Sequence, residues 1–108
     1  MRGFIGEFEE LVLLTIACLG QGAYGVAIKE DIEQRANRPI SIGSLHSTIT
    51  RLQEKGFVDS MLGEPSNERG GRRKRFFSLT KSGTIALSNI KNLRDELWAD
   101  ANINLAAE

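Results

Sequence analysis

The feature that most restricts this chain's fold is at its C-terminal end. Ala86, Ile90, Leu93 and Leu97 recur at four-three-four spacing, close to the seam of a coiled coil. Thr80 is a good N-cap for a helix that carries this stripe to about Leu105. At a rise of ~1.5 Å per residue, its roughly 26 positions span about 39 Å. A compact three-helix core cannot cover an apolar stripe of that length. A second copy of the chain is the expected cover.

The rest of the chain has to form that core. With 108 residues, one domain burying roughly two-thirds of its unfolded surface is expected. The apolar fraction of 41% suits a core that needs neither disulfide nor metal. A first helix runs from about Glu7 to Leu19, with Phe8, Leu11, Val12, Ile16 and Leu19 at helical spacing. Leu13, Leu14 and Ala17 make it apolar nearly all round, which again points to a partner subunit. Gly20 ends it. Phe8, Leu11 and Val12, with Ala86, Ile90, Leu93 and Leu97, are the expected homodimer interface.

A second helix, about Tyr24 to Asn37, is amphipathic through Ile28, Ile32 and Ala36. Asn37-Arg38-Pro39 ends it, and Pro39-Ile40 could supply a very short strand. Ser41 caps a third helix that runs to about Lys55, where Gly56 supplies a left-handed stop followed by the apolar Phe57. Two strands follow, Phe57 to Leu62 and Arg72 to Leu79, on either side of the turn-forming segment Gly63 to Gly71. The expected fold is therefore mainly α with a small β-hairpin. Residues 1–80 form one domain and 81–108 a long C-terminal dimerisation helix.

Formal charge sums to zero, yet it is unevenly placed. Residues 1–40 carry four bases and six acids, residues 41–82 eight bases and four acids, and residues 83–108 two bases and four acids. A basic middle between acidic ends is expected when one face of a domain meets a polyanion.

The third helix sharpens that expectation. With a step of ~100° per residue, Ser44, Ser47, Thr48, Arg51 and Lys55 fall on one arc. Ile42, Leu45, Ile49 and Leu52 fall opposite and are expected in the core. Small hydroxyl residues let a helix approach base edges in a major groove, and Gly43 permits close approach of its start. Arg51 can reach a guanine or a phosphate. An ordinary solvated face is the other reading of this helix taken alone.

Arg69-Gly70-Gly71-Arg72-Arg73-Lys74-Arg75 holds five cations in seven residues. Cations this dense repel one another unless a polyanion neutralises them, which releases counterions. A nuclear-localisation or membrane-surface tract is the alternative. The run leads directly into Phe76-Phe77-Ser78-Leu79, however, where Phe77 and Leu79 share a strand face and pack on the core. Cations fixed on a hairpin beside a recognition-like helix make a wing, and the fold is then a winged helix-turn-helix. Lys55, Arg72, Arg73, Lys74 and Arg75 are expected on phosphates of double-stranded DNA.

Other classes find little support. His46 has no nearby histidine or cysteine to build a zinc site, and is expected as a partly buried helix residue. A DNA or inter-helix contact is its alternative. Ser44 and Ser47 lack a base and an orienting acid, so no enzyme, cofactor or metal is expected. Cys18 lies in the apolar run from Leu11 to Leu19 and is expected to be a buried small hydrophobe. That run is too short to span a bilayer and follows acids instead of a basic segment. A single cysteine fits a reducing compartment, so a cytoplasmic location is expected.

Five segments together resemble the PadR family of transcriptional regulators. They are Glu10-Leu11-Val12-Leu13-Leu14, Gly22-Ala23-Tyr24-Gly25, Ser41-Ile42-Gly43-Ser44-Leu45, Leu52-Gln53-Glu54-Lys55-Gly56-Phe57-Val58, and Lys74 through Gly83. The resemblance covers about residues 8–90, with a single C-terminal helix as in the smaller branch of the family. It implies a winged helix-turn-helix homodimer, joined by its first and last helices, with the third helix and the wing on operator DNA. A repressor is the expected function, and two-fold symmetry favours a palindromic operator. It also implies a cavity for a small aromatic effector, which Trp98 would line; an interface anchor is the plainer role for that residue. His46-Ser47 stands where the family commonly has Tyr-Pro, and Phe76-Phe77 where it has tyrosines. The rival reading is a winged-helix protein-interaction module without DNA binding, against which the basic tract argues, because protein interfaces deplete lysine.

Overall fold

Local capping signals set the ends of most elements. A computed structural model describes residues 5–64 and 73–103 of the chain. The first helix, α1, spans Glu7–Leu19 and begins where the Gly6 N–H donates to Glu9 Oε1 at 2.9 Å. It stops at Gly20, whose φ of 58° suits glycine. A single 3-10 turn, Gly20–Gly22, leads to α2, Gly25–Ala36, which ends on left-handed Asn37. The third helix, α3, spans Ile42–Glu54, and its cap Ser41 accepts from the Ser44 N–H at 3.0 Å. Gly56, at φ 80°, turns the chain so that the Phe57 N–H reaches Leu52 O at 2.9 Å.

Strands β1, Val58–Leu62, and β2, Arg75–Leu79, pair antiparallel with Val58 opposite Leu79 and Leu62 opposite Arg75. The second strand thus begins three residues later than the sequence pattern suggests. Arg73 and Lys74 precede it, and Arg72 lies outside the described residues. Pro39-Ile40 forms no strand. The Ile40 N–H instead donates to Glu33 Oε2 at 3.1 Å. Tyr24 supplies the extra pairing to the hairpin, by a bridge to Phe76.

The last helix, α4, spans Lys81–Ala101. Thr80 caps it by accepting from the Gly83 N–H at 3.0 Å, and its hydroxyl also donates to Gly56 O at 2.7 Å. The helix stops before the expected Leu105, because Asn102 turns left-handed at φ 53°. Its 21 residues span about 31 Å. Gly83 is packed so closely on the Phe57 carbonyl that a Cβ there would collide with backbone.

Three helices and a two-stranded wing thus surround one core, with α4 running out of it. Val12, Leu13 and Ile16 of α1 meet Ile28 and Ile32 of α2, Leu45, Ile49 and Leu52 of α3, and Phe57, Val58 and Phe77 of the hairpin. Val12, expected at the dimer interface, is fully buried here instead. Cys18, expected in the core, is exposed. One rotation explains both. Turning Val12 and Ile16 inward places Leu14, Ala17 and Cys18 on the outward side of α1. Ala86, Leu87 and Ile90 of α4 pack against the core, whereas every described residue from Lys91 onward is exposed. Among the described residues, no helix is long and apolar enough to cross a membrane.

Candidate nucleic-acid interface

The orientation of α3 follows from which of its residues the core takes. Leu45, Thr48, Ile49 and Leu52 face inward, and Thr48 is 1% exposed. Thr48 therefore does not share the outward face, contrary to the sequence expectation. Ile42 is the reason. It is 44% exposed, and counting it as core rotates the apparent inner arc away from Thr48. The outward face holds Gly43, Ser44, His46, Ser47, Thr50, Arg51, Gln53 and Glu54. His46 is exposed and not partly buried. Thr50 and Gln53 belong to this face although neither is among the expected site residues; the ~100° step itself sets Thr50 only ~60° from Ser47.

The two helix cations are already engaged. Lys55 Nζ lies 2.8 Å from Glu9 Oε1, and Arg51 Nε lies 3.3 Å from Glu9 Oε2. The Arg51 guanidinium also donates through Nη2 to Thr48 Oγ1 at 3.2 Å. Burial pushes the Glu9 carboxyl up, but hydrogen bonds from Lys55 and Gly6, the Lys55 charge and the Arg51 bond outweigh it and hold Glu9 below its ordinary value. Lys55 is thus tied to a carboxylate at the C-terminal end of α3, where the sequence pattern suggests an open phosphate contact.

The wing is fastened beside α3. The Phe77 N–H donates to Ala23 O at 2.8 Å, and the Tyr24 and Phe76 rings meet edge to face with centroids 5.6 Å apart. Lys74 places its ammonium 4.4 Å from the Tyr24 ring centroid, a cation–π contact that aims the charge along the domain surface. Ser60 Oγ accepts from both Gln53 Nε2, at 3.2 Å, and Arg75 Nη1, at 3.0 Å, so one hydroxyl joins α3 to both strands. Arg73, Lys74 and Arg75 line a groove of about 620 Å³ together with Tyr24, Ile42, His46, Thr50 and Gln53. The structure brings together the outward face of α3 and the wing cations. Tyr24, not among the expected site residues, positions one of them.

The residues expected in an interface between copies divide. Phe8 and Leu11 are half-buried, and Arg38 stacks over the Phe8 ring at 5.2 Å. On α4, Ala86 and Ile90 pack on their own domain, while Leu93 and Leu97 are more than half exposed. Trp98 lines a groove with Leu14, Leu87 and the Glu10–Arg94 ion pair, whose atoms are 2.8 Å apart.

Comparison with known proteins places this arrangement in a wider group. A model of the transcriptional regulator PadR-like family matches residues 13–89. A PadR-like transcription factor from Bacteroides fragilis has a similar structure, with a TM-score of 0.71 and 21% identity over 88% of this chain and 86% of that one. A PadR-like transcriptional regulator from Bacillus cereus gives a TM-score of 0.68 and 18% identity, covering 91% of this chain and 93% of that one. PadR of Bacillus subtilis, solved in complex with operator DNA, gives 0.62 and 15%, covering 79% of this chain and 46% of its own. At these identities the likeness is one of fold. Among proteins with curated descriptions, none matches the sequence.

Proposed function

Because this chain belongs to the transcriptional regulator PadR-like family, we propose that it is a cytoplasmic, sequence-specific repressor that binds a palindromic operator as a homodimer. Residues 1–80 carry the DNA-binding domain in this reading and residues 81–108 the dimerisation segment, whose helix is α4. The observation that carries it is the shared groove, in which the polar outward face of α3 adjoins Arg73, Lys74 and Arg75. Gly43, Ser44, Ser47, His46 and Thr50 then meet base edges in a major groove, and the wing cations hold phosphates on either side. A structure of the same fold is described with operator DNA, which supports this use of the face.

The homodimer reading rests on the outward side of α1, Leu14, Ala17 and Cys18, and on the exposed Leu93 and Leu97 of α4. Apolar residues at these positions, if left in water, form a patch that a second copy can cover. An effector site is proposed at the Trp98 groove, for a flat aromatic compound. Trp98 is the single tryptophan of the chain, so quenching of its fluorescence reports such binding directly.

Selection of bound sequences from random duplex DNA tests the reading. A near-palindrome should emerge, with half-sites about one helical turn (~34 Å) apart or a multiple of it. Failure to enrich any sequence at any salt concentration would favour the protein-interaction module instead.

A further inference from the structure

Arg51 is anchored more tightly than a surface arginine needs to be. Its side chain is 53% exposed, yet two of its three nitrogens are bound to buried groups. Nε donates to Glu9 Oε2 at 3.3 Å, and Nη2 donates to Thr48 Oγ1 at 3.2 Å. Among the described residues, Nη1 meets no partner. Glu9 is itself held by the Gly6 N–H at 2.9 Å and by Lys55 Nζ at 2.8 Å. The position of this carboxylate is therefore fixed by the first turn of α1 and the last turn of α3.

Thr48 would be a poor choice for the inner face of α3 if it served only to fill volume. A buried hydroxyl without a partner is costly, and the partner Thr48 finds is Arg51. We propose that Glu9 and Thr48 are positioning residues that hold the Arg51 guanidinium ready to donate to a backbone phosphate of DNA. The proposal rests on the DNA-binding reading and adds a named contact and its supports. A guanidinium fixed in advance loses less freedom for each hydrogen bond that it forms. The ligand atom is a phosphate oxygen because of where Arg51 lies. By the ~100° step it is roughly 70° from the middle of the outward face marked by Gly43, Ser47 and Thr50. The middle of that face meets base edges, and its flank meets the strand backbone that walls the groove.

The test measures binding of the full chain to two duplexes, a selected operator and a random sequence, over a range of salt. The variants are Thr48→Val, Glu9→Gln, Arg51→Ala and the combinations of the first two with the third. Valine matches the shape of Thr48, and circular dichroism checks that each variant is folded. Arg51→Ala should weaken binding to both duplexes and lower the salt slope by about 0.9. Thr48→Val should weaken both by roughly two- to tenfold, and should add nothing when Arg51 is already alanine. Glu9→Gln also releases Lys55, so its loss should shrink, without vanishing, once Arg51 is alanine, and it serves if Thr48→Val disturbs the helix. Equal losses with and without Arg51 would overturn the proposal, since Thr48 and Glu9 would then act through the fold alone. So would an Arg51→Ala variant that changes sequence preference at constant salt slope, because Arg51 would then read bases. A wild-type chain that binds neither duplex overturns the DNA-binding reading itself, and this proposal with it.

Discussion

Lys55, at the end of α3, places its ammonium 2.8 Å from Glu9 in the first turn of α1, across 46 residues of sequence. The next residue, Glu10, reaches in the other direction to Arg94 of α4, also at 2.8 Å. Consecutive acids therefore tie one turn of α1 to the helix proposed to read DNA and to the helix proposed to dimerise. The two ties differ in kind. Glu9 is buried, so its pair is shielded from salt, whereas Arg94 is about half exposed and its pair is screened.

Acid should loosen the Glu9 junction. The folded carboxyl ionises below its ordinary value of 4.5, so its contribution is complete above that pH and is lost as pH falls through the lower folded value. Urea unfolding should show a falling midpoint on acidification below about pH 4.5, and Glu9→Gln should flatten that fall. Some slope should remain, because the Ile40 N–H and Lys29 also hold Glu33 below 4.5. Identical profiles for the two proteins would count against the junction as a source of acid sensitivity.

Two glycines should respond to alanine in opposite ways. Gly83→Ala drives a methyl group into the Phe57 backbone and should cost on the order of 1–3 kcal/mol. Gly43 has open space around it and sits in the first turn of α3, so Gly43→Ala should add up to ~1 kcal/mol. On the proposed reading it should also weaken operator binding, because the added methyl faces the groove. Thermal unfolding and a binding titration on the same samples separate the two effects.

Neutralising the wing should act without regard to sequence. Arg73→Ala with Lys74→Ala is expected to weaken binding to operator and random DNA alike. The salt slope should fall by about 0.9 for each phosphate that the variant leaves unneutralised. An unchanged slope would remove the wing from the phosphate-binding surface.

His46 and Thr50 should behave differently from the wing. Alanine at either should change the preferred base at one operator position, by about 1–3 kcal/mol of discrimination for a well-made hydrogen bond. Binding to random duplexes should change little. Selection experiments repeated with each variant read this directly.

Charge on the protruding half of α4 should separate the copies. Leu93 and Leu97 are more than half exposed on their own domain, so Leu93→Asp with Leu97→Asp should leave the helical signal of each chain largely intact. Sedimentation should give about 24 kDa for the wild type, twice the chain mass of 11.9 kDa, and the single mass for the variant. A wild type that sediments as a monomer at micromolar concentration would end the homodimer reading.

Much of the fold is legible in the sequence because its signals are local. Ser41 and Thr80 cap their helices through a hydrogen bond from three residues ahead, and Gly56 stops α3 from within two residues of its end. Such interactions need no knowledge of the rest of the chain. The C-terminal end of α4 is a partial exception, since Asn102 is a weaker stop signal than glycine and the sequence beyond it still holds Ile103 and Leu105. The five segments resembling one family are likewise written along the chain, as is the basic tract before β2.

How each helix is turned about its axis belongs to the tertiary structure. One residue assigned to the wrong side moves a whole face, because successive side chains differ by ~100°. Counting Ile42 as core is enough to bring Thr48 outward, and the apolar run of α1 gives no sign that Val12 faces the core while Cys18 faces out. Packing against several neighbours at once makes that choice, and those neighbours lie far apart in sequence. The same holds for Glu9, whose partners Arg51 and Lys55 are brought to it only when α1 and α3 close on the core. For the long last helix, the sequence determined the apolar stripe and the need to cover it. The tertiary structure decided that Ala86 and Ile90 are covered by their own domain and that Leu93 and Leu97 are not, because the core ends at Ile90 and the helix continues.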